Sequence, residues 1–104
     1  MKRTASPTHE LELPFDYNQY AEQFLLTYSQ NKNVVLEFSD KDIGKGIQIE
    51  GSIISVFLSQ EDTRKFSTGE AFVELKVYTK TKKSIISDTI PIYVKETLNE
   101  KVFT

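Results

Sequence analysis

The chain is 104 residues long and holds nine Ile, seven Val and ten Thr against three Ala, a length with no room for a second core and a balance that favours pleated sheet over helix. It has no cysteine, which excludes disulfide staples, thiolate nucleophiles and thiolate metal sites. Thirteen basic against fifteen acidic residues give a net charge of −2, short of the broad basic face a general nucleic-acid binder needs.

Residues 1 to 9 carry Pro7, small polar residues and two positive charges without periodicity, and are expected to form an arm that a lone monomer leaves mobile. They lead into no apolar signal segment, and no apolar run approaches the roughly 20 residues of a membrane span, so the expectation is a soluble chain made in the cytoplasm. Glu10-Leu11-Glu12-Leu13 alternates strictly and predicts a short strand, with Pro14 at its end and a connector over Phe15 to Glu22.

Phe24, Leu26 and Tyr28 alternate with polar or smaller neighbours, as do Val34, Leu36 and Phe38. Gln30-Asn31-Lys32-Asn33 between them offers two Asn residues that tolerate positive φ, which predicts an antiparallel hairpin. Ser39 to Gly46 is a polar loop around Ile43. Ile47 and Ile49, the break at Gly51, and Ile54, Val56 and Leu58 predict a second hairpin. Ser59 followed three residues later by Asp62 matches a helix N-cap, which predicts a one-turn helix linking two sheets. Val73, Leu75 and Val77 then alternate through Ala71 to Thr79, and Ile86, Ile90, Ile92 and Val94 continue the pattern after a turn at Lys80 to Lys83. Pro91 has no N–H, so this last strand is expected to be an edge or to be bulged there.

The pattern therefore predicts an all-β chain: an N-terminal arm at 1–9, a β domain at 10–95 and a polar tail at 96–104. About seven short strands with turns every eight to twelve residues point to a single immunoglobulin-like antiparallel β-sandwich with one short helical turn, with an open barrel as the alternative. The single-parity apolar faces predict a core of Leu26, Tyr28, Leu36, Ile54, Val56, Val73, Leu75, Val77, Ile90 and Ile92.

Candidate chemistry is sparse. His9 is the only imidazole and sits in the expected arm rather than a fixed pocket. Asp40-Lys41-Asp42-Ile43-Gly44 begins like a calcium loop, but Gly44 and Gly51 stand at the third ligand position and the twelfth. Glu61 and Asp62 read as cap partners, and Gly44-Lys45-Gly46 lacks the spacing of a phosphate loop. Lys76, Lys80, Lys82 and Lys83 with Tyr78 could contact phosphate and stack a base, but read better as a charged, aggregation-resistant hairpin. The expectation is a protein without catalytic residues, cofactor or metal.

The better leads are adhesive. Alternation sends Phe57, Phe72 and Tyr78 outward, and a contiguous row of such rings would mark a protein interface. Both ends add to this: the arm, with Arg3 and Pro7, could lie along a neighbour's sheet edge, and the tail places Leu98, Val102 and Phe103 on an otherwise polar segment.

Arg3-Thr4-Ala5-Ser6-Pro7-Thr8-His9, Leu13-Pro14-Phe15-Asp16, Thr27-Tyr28-Ser29-Gln30, Leu58-Ser59-Gln60-Glu61-Asp62-Thr63-Arg64-Lys65-Phe66 and Ile86-Ser87-Asp88-Thr89-Ile90 together span nearly the whole chain. In these segments the sequence resembles a family of small uncharacterised proteins of phages and prophages of Gram-positive, mainly Firmicutes, bacteria. It departs from that pattern at Thr79 to Lys83, where a Gly-containing turn is usual. The resemblance implies a virion-associated structural or adaptor module, in head decoration, neck, tail or baseplate. Its partners would be other virion proteins or further copies of itself, with no membrane and no nucleic acid involved. The alternative is a soluble phage accessory protein that binds and inhibits a host enzyme or defence protein.

Overall fold

The alternating segments fold as strands in a computed structural model that describes residues 1–104. They are β1 (Thr8–Glu12), β2 (Ala21–Gln30), β3 (Asn33–Ser39), β4 (Ile47–Glu50), β5 (Ile53–Phe57), β6 (Gly69–Thr79), β7 (Ser84–Ile86) and β8 (Ile90–Val94). Two short helices, α1 (Tyr17–Tyr20) and α2 (Gln60–Arg64), and a 3-10 turn at Asp40–Asp42 join them. Ser59 and Asp62 cap α2 reciprocally, each side chain accepting from the other's backbone N–H at 3.0 Å, as the sequence predicts. The expected connector instead contains α1, whose cap Asp16 accepts from Gln19 N at 3.0 Å. In the β2–β3 hairpin the positive φ angles fall on Asn31 and Lys32, so the second Asn is not the residue that turns.

All pairings between these strands are antiparallel, in one sheet ordered β1-β5-β4 and another ordered β3-β2-β6 with β7 and β8 both on the outer side of β6. The chain is therefore all-β and sandwich-like, and α2 carries it from the first sheet to the second. The return from the β6 hairpin is interrupted. Leu75 bonds Ser87 through both its backbone groups, O to Ser87 N at 2.8 Å and N to Ser87 Oγ at 2.9 Å, and the chain leaves the ladder before rejoining at Ile90. Pro91 lies on this outermost strand opposite Phe72, where a missing N–H costs no ladder bond.

The core is apolar and continuous between the sheets. Leu26, Tyr28, Leu36, Ile54, Val56, Val73, Leu75 and Val77 are buried as expected, joined by Leu13, Tyr17, Phe24, Ile47, Leu58, Phe66 and Val94 among others. Two expectations need correcting: Ile90 is 46 % exposed and Ile92 only half-buried. Both face inward by register, opposite the buried Val73 and Ala71, but the first sheet is only three strands wide and leaves the β7–β8 side of the second uncovered.

The expected arm is also tied down. Thr8 and His9 already belong to β1 and pair with Phe57 and Val56. Upstream, Arg3 N donates to Lys95 O at 3.1 Å, Lys95 N to Met1 O at 2.8 Å, and Met1 N to Tyr93 O at 2.9 Å.

Candidate protein interface

The structure brings the two ends of the sequence together. Arg3 Nη1 meets Glu100 Oε1 at 2.7 Å, Nη2 donates to Arg64 O at 3.1 Å, and the Thr97 hydroxyl donates to Arg3 O. Gln60 grips the tail at two points: its Oε1 accepts from Phe103 N at 2.9 Å and its Nε2 donates to Phe103 O at 3.3 Å. Thr63, fully buried, donates to Ala5 O at 2.8 Å. An open cleft of about 570 Å³ lies among Arg3, Thr4, Gln60, Thr97, Val102 and Phe103. Arg3 is thus committed within the chain, and Pro7 O accepts from Leu58 N at 3.0 Å. Val102 is half-buried, whereas Leu98 is fully exposed and Phe103 is 87 % exposed. Gln60 and Thr63 could not be told from ordinary helix residues in the sequence, because their partners lie some 40 to 60 positions away.

The outward aromatics do not form a row. Phe57 lies on the outer face of the three-stranded sheet, with Ile53 further along β5, Glu10 and Glu12 on β1, and Glu50 on β4. Phe72 and Tyr78 are on the outer face of the other sheet, six positions apart on β6, which is about 20 Å along a strand. Both are half-buried, while Phe57 is exposed. Alternation predicts their direction correctly; it carries no information on which sheet each strand joins.

The polar candidates are occupied by the fold. Asp42 caps the 3-10 turn by accepting from Ser39 N at 2.8 Å. Lys80 Nζ donates to Asn18 O at 2.8 Å, and Lys82 meets Glu22 at 2.8 Å while lying 5.8 Å from the centre of the Tyr78 ring. The hydrogen bond to Glu22 holds the Lys82 ammonium above its ordinary pKa. Lys82 takes the positive φ of this turn. Burial, with Asp40 nearby, pushes the Tyr17 phenol up to about 12.

His9 is not in a flexible arm but over the core. Its Nδ1 is 2.8 Å from the hydroxyl of Tyr28, which is fully buried, and the rings stack with centroids 5.8 Å apart. Burial lowers the His9 pKa below its ordinary value and raises that of Tyr28. A neutral imidazole accepting from the phenol satisfies both groups. Beside it a groove of about 300 Å³ runs between the edges of the two sheets, lined by His9, Leu11, Tyr28, Val73, Ile90 and Ile92.

Comparison with protein-family models, with curated proteins and with solved structures returns no match for this chain.

Proposed function

We propose that this protein is a virion-associated structural or adaptor module of a phage, working by protein–protein binding. The observation that carries the proposal is the set of large apolar side chains held in solvent on an ordered framework: Phe57 on a sheet face, and Leu98 and Phe103 on a tail that Gln60 and Arg3 fix in place. Apolar groups held in solvent at fixed positions supply contact area to an assembling protein. The resemblance to phage proteins supports the same conclusion and supplies the setting. The protein is read as non-enzymatic and without cofactor. Its partners would be neighbouring virion proteins or further copies, and its place of action the particle after synthesis in the host cytoplasm.

An immunoglobulin-like module belongs to this proposal. Counting β7 and β8 as one interrupted edge strand gives seven strands in two antiparallel sheets, which supports it. The position of β2 counts against it, since the second strand of that fold shares a sheet with the first, fourth and fifth, whereas here it lies between β3 and β6.

Removing residues 1 to 9 is not a clean test, because it takes Thr8 and His9 out of β1. Changing Leu98 and Phe103 to Ser, with Phe57→Ser separately, leaves the core untouched. Both variants should keep the wild-type denaturation midpoint and drop out of particles purified from the phage that encodes the protein. Normal incorporation of both defeats the docking mechanism. Absence of the wild type from particles, with capture of one host protein, establishes the inhibitor alternative in its place.

A further inference from the structure

The groove beside β1 has the geometry of an unfilled strand position. Pro7 pairs with Leu58 and Leu13 with Ser52, so the odd-numbered residues of β1 bond to β5 and the backbone N–H and C=O groups of Thr8, Glu10 and Glu12 face away from the sheet. One strand spacing further out, the first sheet would cover the inward-facing Ile90 and Ile92 of β8, and Ile85 of β7, which is 43 % exposed opposite the buried Val77. Two of the other edges are occupied: Pro91 and residues 1 to 3 block β8, and Gly44 N takes Ile47 O on β4 at 2.8 Å.

We infer that this groove receives an extended segment of a partner protein that adds as a strand to the free edge of β1. The groove also dictates the chemistry of that segment. Residues opposite His9 and Leu11 point inward over Ile90 and Ile92 and must be apolar. Residues opposite Glu10 and Glu12 lie on the outer face, where neither carboxylate has an ion-pair partner in this chain, and cross-strand complementarity calls for Lys or Arg. The occupant is therefore an alternating apolar and basic strand. Neither residues 1–7 nor residues 96–104 have that alternation, which sets these two segments aside as occupants. The inference rests on the proposed function, to which it adds the kind of partner.

The probe is a synthetic peptide of about eight residues alternating valine with lysine, long enough to span β1. It is compared with a valine–glutamate peptide and with a peptide of the same valine and lysine content in two blocks. The alternating lysine peptide should slow hydrogen exchange at the Glu10 and Glu12 amides and bind about tenfold more tightly than the glutamate peptide. Ile90→Asp, at an exposed position, should abolish this, and Glu10→Lys with Glu12→Lys should reverse the preference. Equal binding of the blocked peptide, unchanged exchange at Glu10 and Glu12, or indifference to Ile90→Asp overturns the inference and leaves the glutamates as guards of a sheet edge. The particle assay separates the two claims. If wild type and Ile90→Asp enter particles equally, the groove is not the contact although the virion proposal stands. If the wild type never enters particles, the virion proposal falls and the peptide result alone decides the groove.

Discussion

The two flanks of the sandwich are built from the same kind of sequence and end in opposite states. On the flank of β2 and β3, the inward residues Leu26 and Leu36 are buried. On the flank of β1 and β8, inward residues of the same parity emerge progressively: Val94 is fully buried, Ile92 half-buried, and Ile90 and Ile85 exposed over somewhat less than half their surface. Direction is set by the strand's own alternation, but burial needs a strand on the other sheet to meet it. An inward-facing isoleucine is core only where something lies opposite.

The largest effect tests this contrast directly. Leu75→Ala, at a site 4 % exposed, should cost about 2–5 kcal/mol in urea denaturation, whereas Ile90→Ala should cost less than about 1 kcal/mol. Equal costs would mean that the open flank is covered in solution. Next comes the junction between β2 and β6, where the buried Gln30 amide donates to Ser67 O at 2.6 Å and accepts from Ser67 N at 2.7 Å. Because water reaches the exposed Ser67, Gln30→Ala should lower stability by about 1–2 kcal/mol. Ser59→Ala removes the α2 cap and should cost about 1 kcal/mol, read as a shift in the same midpoint at unchanged slope. Lys32→Gly should act in the other direction, raising stability by about 0.5–1 kcal/mol, since the hairpin holds Lys32 at a φ of 65° that glycine adopts without strain.

The smallest effect is a pH dependence localised on the open flank. Burial depresses the folded-state pKa of His9 below its ordinary 6.5, so the unfolded chain binds more protons in the interval between the two values. Its contribution is complete above pH 6.5 and is lost as the pH falls through the folded-state value. His9→Gln, which keeps a partner for the Tyr28 hydroxyl, should flatten this part of the stability profile; an unchanged slope would assign it to the carboxylates.

Legibility of the fold followed the range of the interactions. The β2–β3 and β4–β5 hairpins and the capped turn at Ser59 depend on neighbours within a few residues and could be read from them. α1 is not legible, because its one local signal, the cap Asp16, stands among aromatic residues with no clear period and the stretch reads as a connector. Alternation places Ile90 and Ile92 in the core because it encodes the face of a strand and not the width of the sheet opposite. The same blindness affects the candidate interface. Alternation points Phe57 and Phe72 outward, as in the fold, but they belong to different sheets, and the attachment of Arg3 to Glu100 joins positions 97 residues apart.

The bonds between residues 1–3 and 93–95 bear on how the chain acquires its structure. Contacts separated by some 90 positions close a loop of nearly the whole chain, and their entropic cost is met only after the intervening strands are in place. Both hairpins can form while synthesis is still under way. Residues 1–3 must wait until Lys95 has left the ribosome. From then until residues 1–3 dock, β8 has no cover over Tyr93 and Lys95, and the new chain is open to mispairing at a strand that the finished fold guards.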